Sequence, residues 1–211
     1  MTESKHHEVV VIGAGVCGIY QLYRLLELGI DATVLEAGSD LGGTWYWNRY
    51  PGARFDSESH SYSYSFSEEL LQEWDWSEYF AGQPETLRYL GYVADKFNLR
   101  EHMQFDCRVK SAVFDESRSV WKISLQDGRS LTCKILLTAI GMLSAPTLPN
   151  IEGVSAFRGE SFHTYHWPKE PVQLQGKRVG VVGTGATGVQ VIGDIADKVG
   201  SLTVFQRRPN W

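Results

Sequence analysis

Two glycine strings carry the residues whose spacing could do chemistry. Residues 9–18 read VVVIGAGVCG and residues 179–188 read VGVVGTGATG, an ungapped repeat at an offset of 170 residues that lays Gly13 on Gly183. In each copy G-x-G-x-x-G follows a β-branched run of the kind that fills a buried parallel strand. Helical stretches follow, at 19–28 and 189–199, and then second strands at 32–35 and 202–205. Strand, glycine turn, helix and strand make up the dinucleotide-binding βαβ unit. Gly13 and Gly183 make the tight turn, Gly15 and Gly185 let a pyrophosphate reach the backbone, and Gly18 and Gly188 let helix and strand pack closely. The helix N-terminus then faces the phosphate, with Cys17 in copy one and Thr184, Ala186 and Thr187 in copy two filling the turns.

The copies differ at the position that reads the ribose. Glu36 lies 23 residues after Gly13, where a carboxylate accepts hydrogen bonds from a ribose 2'-hydroxyl, as in FAD or NAD sites. Copy two has Gln206 at that offset, followed by Arg207 and Arg208. Guanidinium groups bind a 2'-phosphate in a fork geometry, which points copy two to NADPH. The alternative for the two arginines is a solvated strand end.

These units need a fold to hold them. At 211 residues the chain is long enough for one large or two small domains, and a chain of about 200 residues buries roughly 70% of its unfolded surface. The expected architecture is α/β, with two Rossmann-like βαβ units and a small antiparallel meander inserted in the first. The meander is read from period-two alternation over 105–131 and the turn signal Asp127-Gly128. Residues 134–141, KILLTAIG, read as a final buried strand whose Gly141 admits a ligand, and the proline-rich 144–149 as a connection. The domain boundary falls near residue 145, giving 1–145 and 146–211 with the second unit incomplete.

Composition narrows the function. A net charge of -5 gives no basic footprint for nucleic acid. The longest apolar runs, 9–20 and 135–143, are broken by glycine and fall short of the roughly 20 residues of a membrane span. No secretory leader is evident, and three cysteines in no metal-like or CxxC spacing predict no metal site, no disulfide framework and a cytoplasmic location. Twelve of the 26 aromatic residues fall between Trp45 and Phe80, a candidate wall for a flat cofactor or a packed core.

One further string is specific. Residues 157–168, FRGESFHTYHWP, match F-x-G-x-x-x-H-x-x-x-W-P at every fixed position, the fingerprint of the Baeyer–Villiger monooxygenases, and the chain resembles that family of class B flavoprotein monooxygenases along its whole length. Residues 42–56, GGTWYWNRYPGARFD, are also similar to the family, and 66–76 resemble its phenylacetone- and steroid-oxidising members. No CxxC follows Gly43, which disfavours the flavin disulfide reductases.

The resemblance implies FAD in copy one and NADPH in copy two. The implied reaction reduces FAD with NADPH, adds O2 at flavin C4a and delivers the peroxide to a ketone, giving an ester or lactone. It implies Gly13, Gly15, Cys17 and Gly18 at the pyrophosphate and Glu36 at the ribose. Gly43, Thr44, Trp45, Trp47, Arg54 and Tyr62 are implied near the flavin, with Gly141 and the backbone of Val109. Asp56 is implied as the catalytic carboxylate, pairing with an arginine that stabilises the oxyanion; the alternative is a cap on the segment 57–59. His163, Phe157 and Trp167 are read as structural couplers and not as acid–base groups. Trp167 also disfavours the class B enzymes that oxygenate sulfur or nitrogen.

The family's arginine lies beyond the residue matching Trp211. The chain is therefore expected to be the N-terminal part of a longer monooxygenase, inactive alone and needing the rest of its polypeptide. A truncated FAD-binding piece without turnover is the non-enzymatic alternative.

Overall fold

The computed structural model describes residues 5–208. The chain divides into two compact units, Met1–Tyr46 with Leu87–Ala145, and Trp47–Thr86 with Pro146–Trp211.

The first unit is built on a six-stranded sheet of order β3-β2-β1-β6-β5-β4. Its strands are β1 (Lys5–Ile12), β2 (Ala32–Leu35), β3 (Met103–Gln104), β4 (Val109–Asp115), β5 (Val120–Leu125) and β6 (Ser130–Thr138). Val9, Val10 and Val11 of β1 are fully covered, as a central parallel strand between two faces requires. Helix α1 (Val16–Glu27) crosses from β1 to β2 and buries Gly18, Ile19 and Leu22. It stops in a Schellman motif: the Gly29 N–H donates to Leu26 C=O at 2.9 Å and the Ile30 N–H to Leu25 C=O at 3.0 Å. Gly29 sits at φ +71°, a conformation that costs other residues about 1–2 kcal/mol.

The meander is present, with a difference. Strand β6 runs antiparallel to β5 and parallel to β1 at once, pairing Cys133 with Trp121 on one edge and with His7 on the other. The inserted meander is thus continuous with the parallel sheet, and the strand expected at 134–141 is the second half of β6, which ends at Thr138. Nor is that half buried: Leu131 and Cys133 are covered, whereas Ile135 is 45% exposed and Ile140 beyond it 60%. The core of this region lies instead under the hairpin, where Val10, Leu35, Cys107, Ile123, Leu125, Leu131 and Cys133 meet.

Short helices α2 (Thr44–Trp47), α3 (Ser59–Tyr62) and α4 (Glu68–Glu73) precede α5 (Gln83–Lys96). In the second unit the aromatic stretch packs on itself. Phe55 stacks on Tyr62 with ring centroids 4.4 Å apart and meets Trp76 edge-on at 5.8 Å. Ser59 Oγ donates to the Glu78 carbonyl at 2.6 Å and accepts from the Ala81 N–H at 3.1 Å, closing this loop-rich region. The unit also carries β7 (Arg178–Val182), α6 (Ala186–Ile195) and β8 (Ser201–Phe205), with β7 and β8 parallel. Val182 and Phe205 are 65% and 56% exposed.

Both crossover helices begin earlier than their sequence pattern suggests, at Val16 instead of 19 and at Ala186 instead of 189. The third glycine of each turn is helical because its missing side chain is needed inside the first turn. Among the described residues no helix is long and apolar enough to cross a membrane, and no cluster of His, Cys, Asp and Glu could hold a metal ion.

Candidate functional site

The two glycine turns are built alike. In the first unit the Gly13 N–H donates to the last carbonyl of β2, Leu35, at 2.8 Å; in the second the Gly183 N–H donates to the last carbonyl of β8, Phe205, at 2.9 Å. Gly13 and Gly183 adopt φ +101° and +104°. A Cβ on Gly18 would lie 1.8 Å from the Gly13 carbonyl oxygen, and one on Gly188 2.5 Å from that of Gly183. These are cradles that only glycine fits. Gly15 and Gly185 are the N-caps of α1 and α6, and neither helix has a side-chain cap. Both helices thus begin at a glycine with no side-chain cap and present the positive end of the helix dipole there, the environment a pyrophosphate needs.

Around the first turn the structure gathers several predicted residues. Glu36 is 4% exposed. Its Oε2 accepts from the Ala14 N–H and its Oε1 from the Gly38 N–H, both at 2.7 Å. The carboxylate thus holds the turn in shape, and each oxygen keeps a further lone pair. Gly43 packs directly on Gly15, with a Cβ on Gly43 only 2.7 Å from the Gly15 Cα, and Gly42 N–H donates to Ala14 C=O at 2.9 Å. Thr44 is exposed and Trp45 buried on α2. Cys17 is exposed, its sulfur accepting from Gln21 Nε2 at 3.4 Å. Val109 opens β4, and Gly141 lies exposed just past β6 at φ +73°.

The sequence pattern missed the brace of this loop. The Tyr46 hydroxyl accepts from the Ser39 N–H at 3.1 Å and bonds the Ser39 hydroxyl at 2.8 Å, and its ring fills the space beside Gly38. Arg100 adds ion pairs to Asp40 and Asp95 at 2.7 and 2.6 Å. A tyrosine inside an aromatic run carries no signal that separates a loop brace from core packing.

Asp56, Arg54, Tyr62 and Trp47 fall in the second unit. Asp56 is exposed, and its Oδ1 accepts from Gln190 Nε2 of α6 at 2.9 Å. The alternative cap role is not what the structure builds: α3 has Glu58 at its N-cap and no side-chain cap bond. Arg54 turns its guanidinium to Glu78 at 3.2 Å and the Phe80 carbonyl at 3.4 Å. Tyr62 is engaged in its stack on Phe55.

On the second turn nothing lies within 4 Å of a Cβ at Gly183 or Gly185, so the approach to the α6 N-terminus is open. Thr184, Thr187 and Gly188 are partly covered, Ala186 exposed. Gln206, Arg207 and Arg208 are exposed at the end of β8, and neither arginine makes an ion pair among the described residues. The fingerprint string forms a compact knot: His163 Nδ1 accepts from the Tyr165 N–H at 3.2 Å, capping the turn Thr164–His166. The Phe157 ring covers Gly159, where a Cβ would lie 2.7 Å from it, and Phe162 packs on Trp167 at 5.5 Å.

Two helix N-termini without side-chain caps stand behind matched glycine turns, one with Glu36 after its second strand and one with Gln206, Arg207 and Arg208, and both units are Rossmann-like. The flavin-binding monooxygenase-like family matches residues 6–211, and the chain belongs to it. It is 48% identical to the acetone monooxygenase (methyl acetate-forming) of Gordonia sp. (strain TY-5), over 97% of this chain and 38% of that protein. The crystal structure of cyclohexanone monooxygenase from Rhodococcus sp. Phi1 bound to NADP+ superposes with a TM-score of 0.94 at 44% identity, covering 99% of this chain and 39% of that one. The OTEMO complex with FAD and NADP gives a TM-score of 0.92 at 48% identity, covering 99% and 40%. The chain thus spans about 38–40% of the length of these relatives.

Proposed function

We propose that this chain provides the FAD-binding part and the beginning of the NADPH-binding part of a Baeyer–Villiger monooxygenase, which inserts one atom of O2 beside a ketone carbonyl to give an ester or lactone. The pair of turns carries the reading, because similar glycine turns are followed by Glu36 in one and by Gln206, Arg207 and Arg208 in the other. The boundary between the two functions is placed near residue 145.

Bound at the first turn, a flavin supplies the two-electron chemistry that accepts hydride from NADPH and activates O2. The chain's own residues bind and orient. Gly13, Gly15, Cys17 and Gly18 offer the α1 N-terminus to the FAD pyrophosphate, and Glu36 has lone pairs left for ribose hydroxyls. Gly43, Thr44 and Trp45, with Gly141 and the Val109 backbone, all of the first unit, are assigned to the flavin surroundings. Trp45, buried on α2, excludes water there. Asp56 presents a carboxyl group, held by Gln190 Nε2, that is suited to orienting a guanidinium. Gly183, Thr184, Gly185, Ala186, Thr187 and Gly188 receive the NADPH pyrophosphate, and Arg207 and Arg208 the 2'-phosphate.

A chimera in which these 211 residues replace the matching segment of the Gordonia acetone monooxygenase tests the proposal. It is expected to consume NADPH and O2 and release an ester from acetone or a cyclic ketone. A chimera that folds and binds FAD yet yields no ester from any ketone in a broad panel would overturn it.

A further inference from the structure

We infer that Gln190 is a positioning residue for Asp56, an inference whose functional weight rests on the role proposed above for that carboxylate. Gln190 stands two residues past the last glycine of the second turn, on α6. Its side-chain Nε2 donates to Asp56 Oδ1 and to the Arg54 carbonyl, both at 2.9 Å. Its Oε1 accepts from the Tyr50 hydroxyl at 2.9 Å and the Arg54 N–H at 3.4 Å. An amide has two donor hydrogens and two acceptor lone pairs, so these four contacts use its whole capacity on one loop.

The backbone brings the loop and the helix together. Gly52 lies against α6 so closely that a Cβ there would meet the Gln190 carbonyl oxygen at 2.5 Å and the Asp194 Cβ at 3.0 Å, and its φ is +78°. From the other edge Arg54 bridges Gly82, and the Ala53 carbonyl accepts from the Gln83 N–H at 2.8 Å. The loop's register is thus set from two sides, but Gln190 alone reaches the carboxylate: its bond is the only one Asp56 makes among the described residues. Glutamate has the same reach and would set a second negative charge 2.9 Å from Asp56, which explains why an amide stands here. The helix that opens at the second glycine turn therefore also fixes where Asp56 points.

In the 15N-labelled chain, Asp56→Asn is expected to shift the Gln190 side-chain NH2 resonances, a signature that purely structural packing of Gln190 would not produce. Gln190→Met, close in volume, is expected to speed exchange of the Arg54 amide about tenfold or more while the amides of 191–195 stay within about twofold. Gln190→Glu keeps the acceptors and loses the donors, so it should release Asp56 but slow Arg54 exchange relative to the methionine variant. NH2 resonances indifferent to Asp56→Asn would overturn the inference, and so would Arg54 exchange unchanged by methionine. Should the methionine variant lose α6, the Asp56→Asn comparison, which leaves Gln190 in place, still decides. In the chimera, ester formation insensitive to Asp56→Ala would remove the role of Asp56 and leave the Gln190 link standing.

Discussion

Gly18→Ala and Gly193→Ala are the same chemical change inside helices of the same kind, and the structure gives them opposite signs. Alanine favours a helix interior over glycine by about 1 kcal/mol. At Gly193 nothing lies within 4 Å of the added Cβ, so that gain is realised almost in full. At Gly18 the Cβ would sit 1.8 Å from the Gly13 carbonyl oxygen, where contacts under 3.0 Å essentially never occur. The obstacle is backbone, so the turn must open by more than an ångström, against a carbonyl held by the packed end of β1. Overpacking costs about 1–3 kcal/mol and sometimes more; a clash this deep against backbone stands at the upper end, about 3 kcal/mol, which leaves a net loss of about 2 kcal/mol after the propensity gain. With about 2–4 °C of Tm per kcal/mol for a chain of this size, Gly18→Ala should lower Tm by about 5 °C and Gly193→Ala raise it by about 2–4 °C. Circular dichroism melts of the two variants against the parent read both shifts in one experiment. Equal Tm changes of either sign, or a Gly18→Ala melt within about a degree of the parent, would refute the packing argument.

Further outcomes follow from the same geometry. Glu36→Gln leaves one of the two N–H groups at Ala14 and Gly38 facing an amide NH2, and should cost about 2 kcal/mol in urea unfolding and weaken FAD binding. The double variant Arg207→Ala with Arg208→Ala should lower NADP+ affinity about tenfold and leave NAD+ affinity unchanged in calorimetric titrations; equal losses for both would return the arginines to the status of surface cations. Burial, reinforced by Lys5 and His6 and opposed by Asp31, pushes the His7 imidazole below its usual range. The folded state therefore resists a proton that the unfolded chain takes up near pH 6.5, so stability should be full above that pH and decline as pH falls below it. His7→Val should flatten this slope in urea midpoints between pH 8 and 5, and an unchanged slope would assign it elsewhere.

Much of this was legible because a dinucleotide turn writes itself locally. The turn, its strands and β2 at Ala32–Leu35 are short-range consequences of glycine and β-branched residues, and they fall where the sequence places them. The helix starts were read late because Gly18 and Gly188 look like breakers, whereas their task is to be helical where a side chain would strike Gly13 or Gly183. The exposure of Ile135 was not legible, since an apolar strand has the same composition whether or not a layer covers it. Gln190 was beyond sequence reasoning for another reason: its partners Tyr50, Arg54 and Asp56 lie 134–140 residues away, and one polar residue on a helix carries no mark of a long-range clamp. The offset singles out Glu36, but its task of holding the Ala14 and Gly38 N–H groups shows only in three dimensions.

The division of labour between the two turns is the centre of the account, and a crossed binding experiment tests it directly. FAD and NADP+ are titrated against the chain and against Gly15→Ala and Gly185→Ala, each of which puts a methyl group where a pyrophosphate must approach the backbone. Gly15→Ala is expected to lose FAD and keep NADP+, and Gly185→Ala to do the reverse. Loss of both ligands in either folded variant, or of neither, would contradict it.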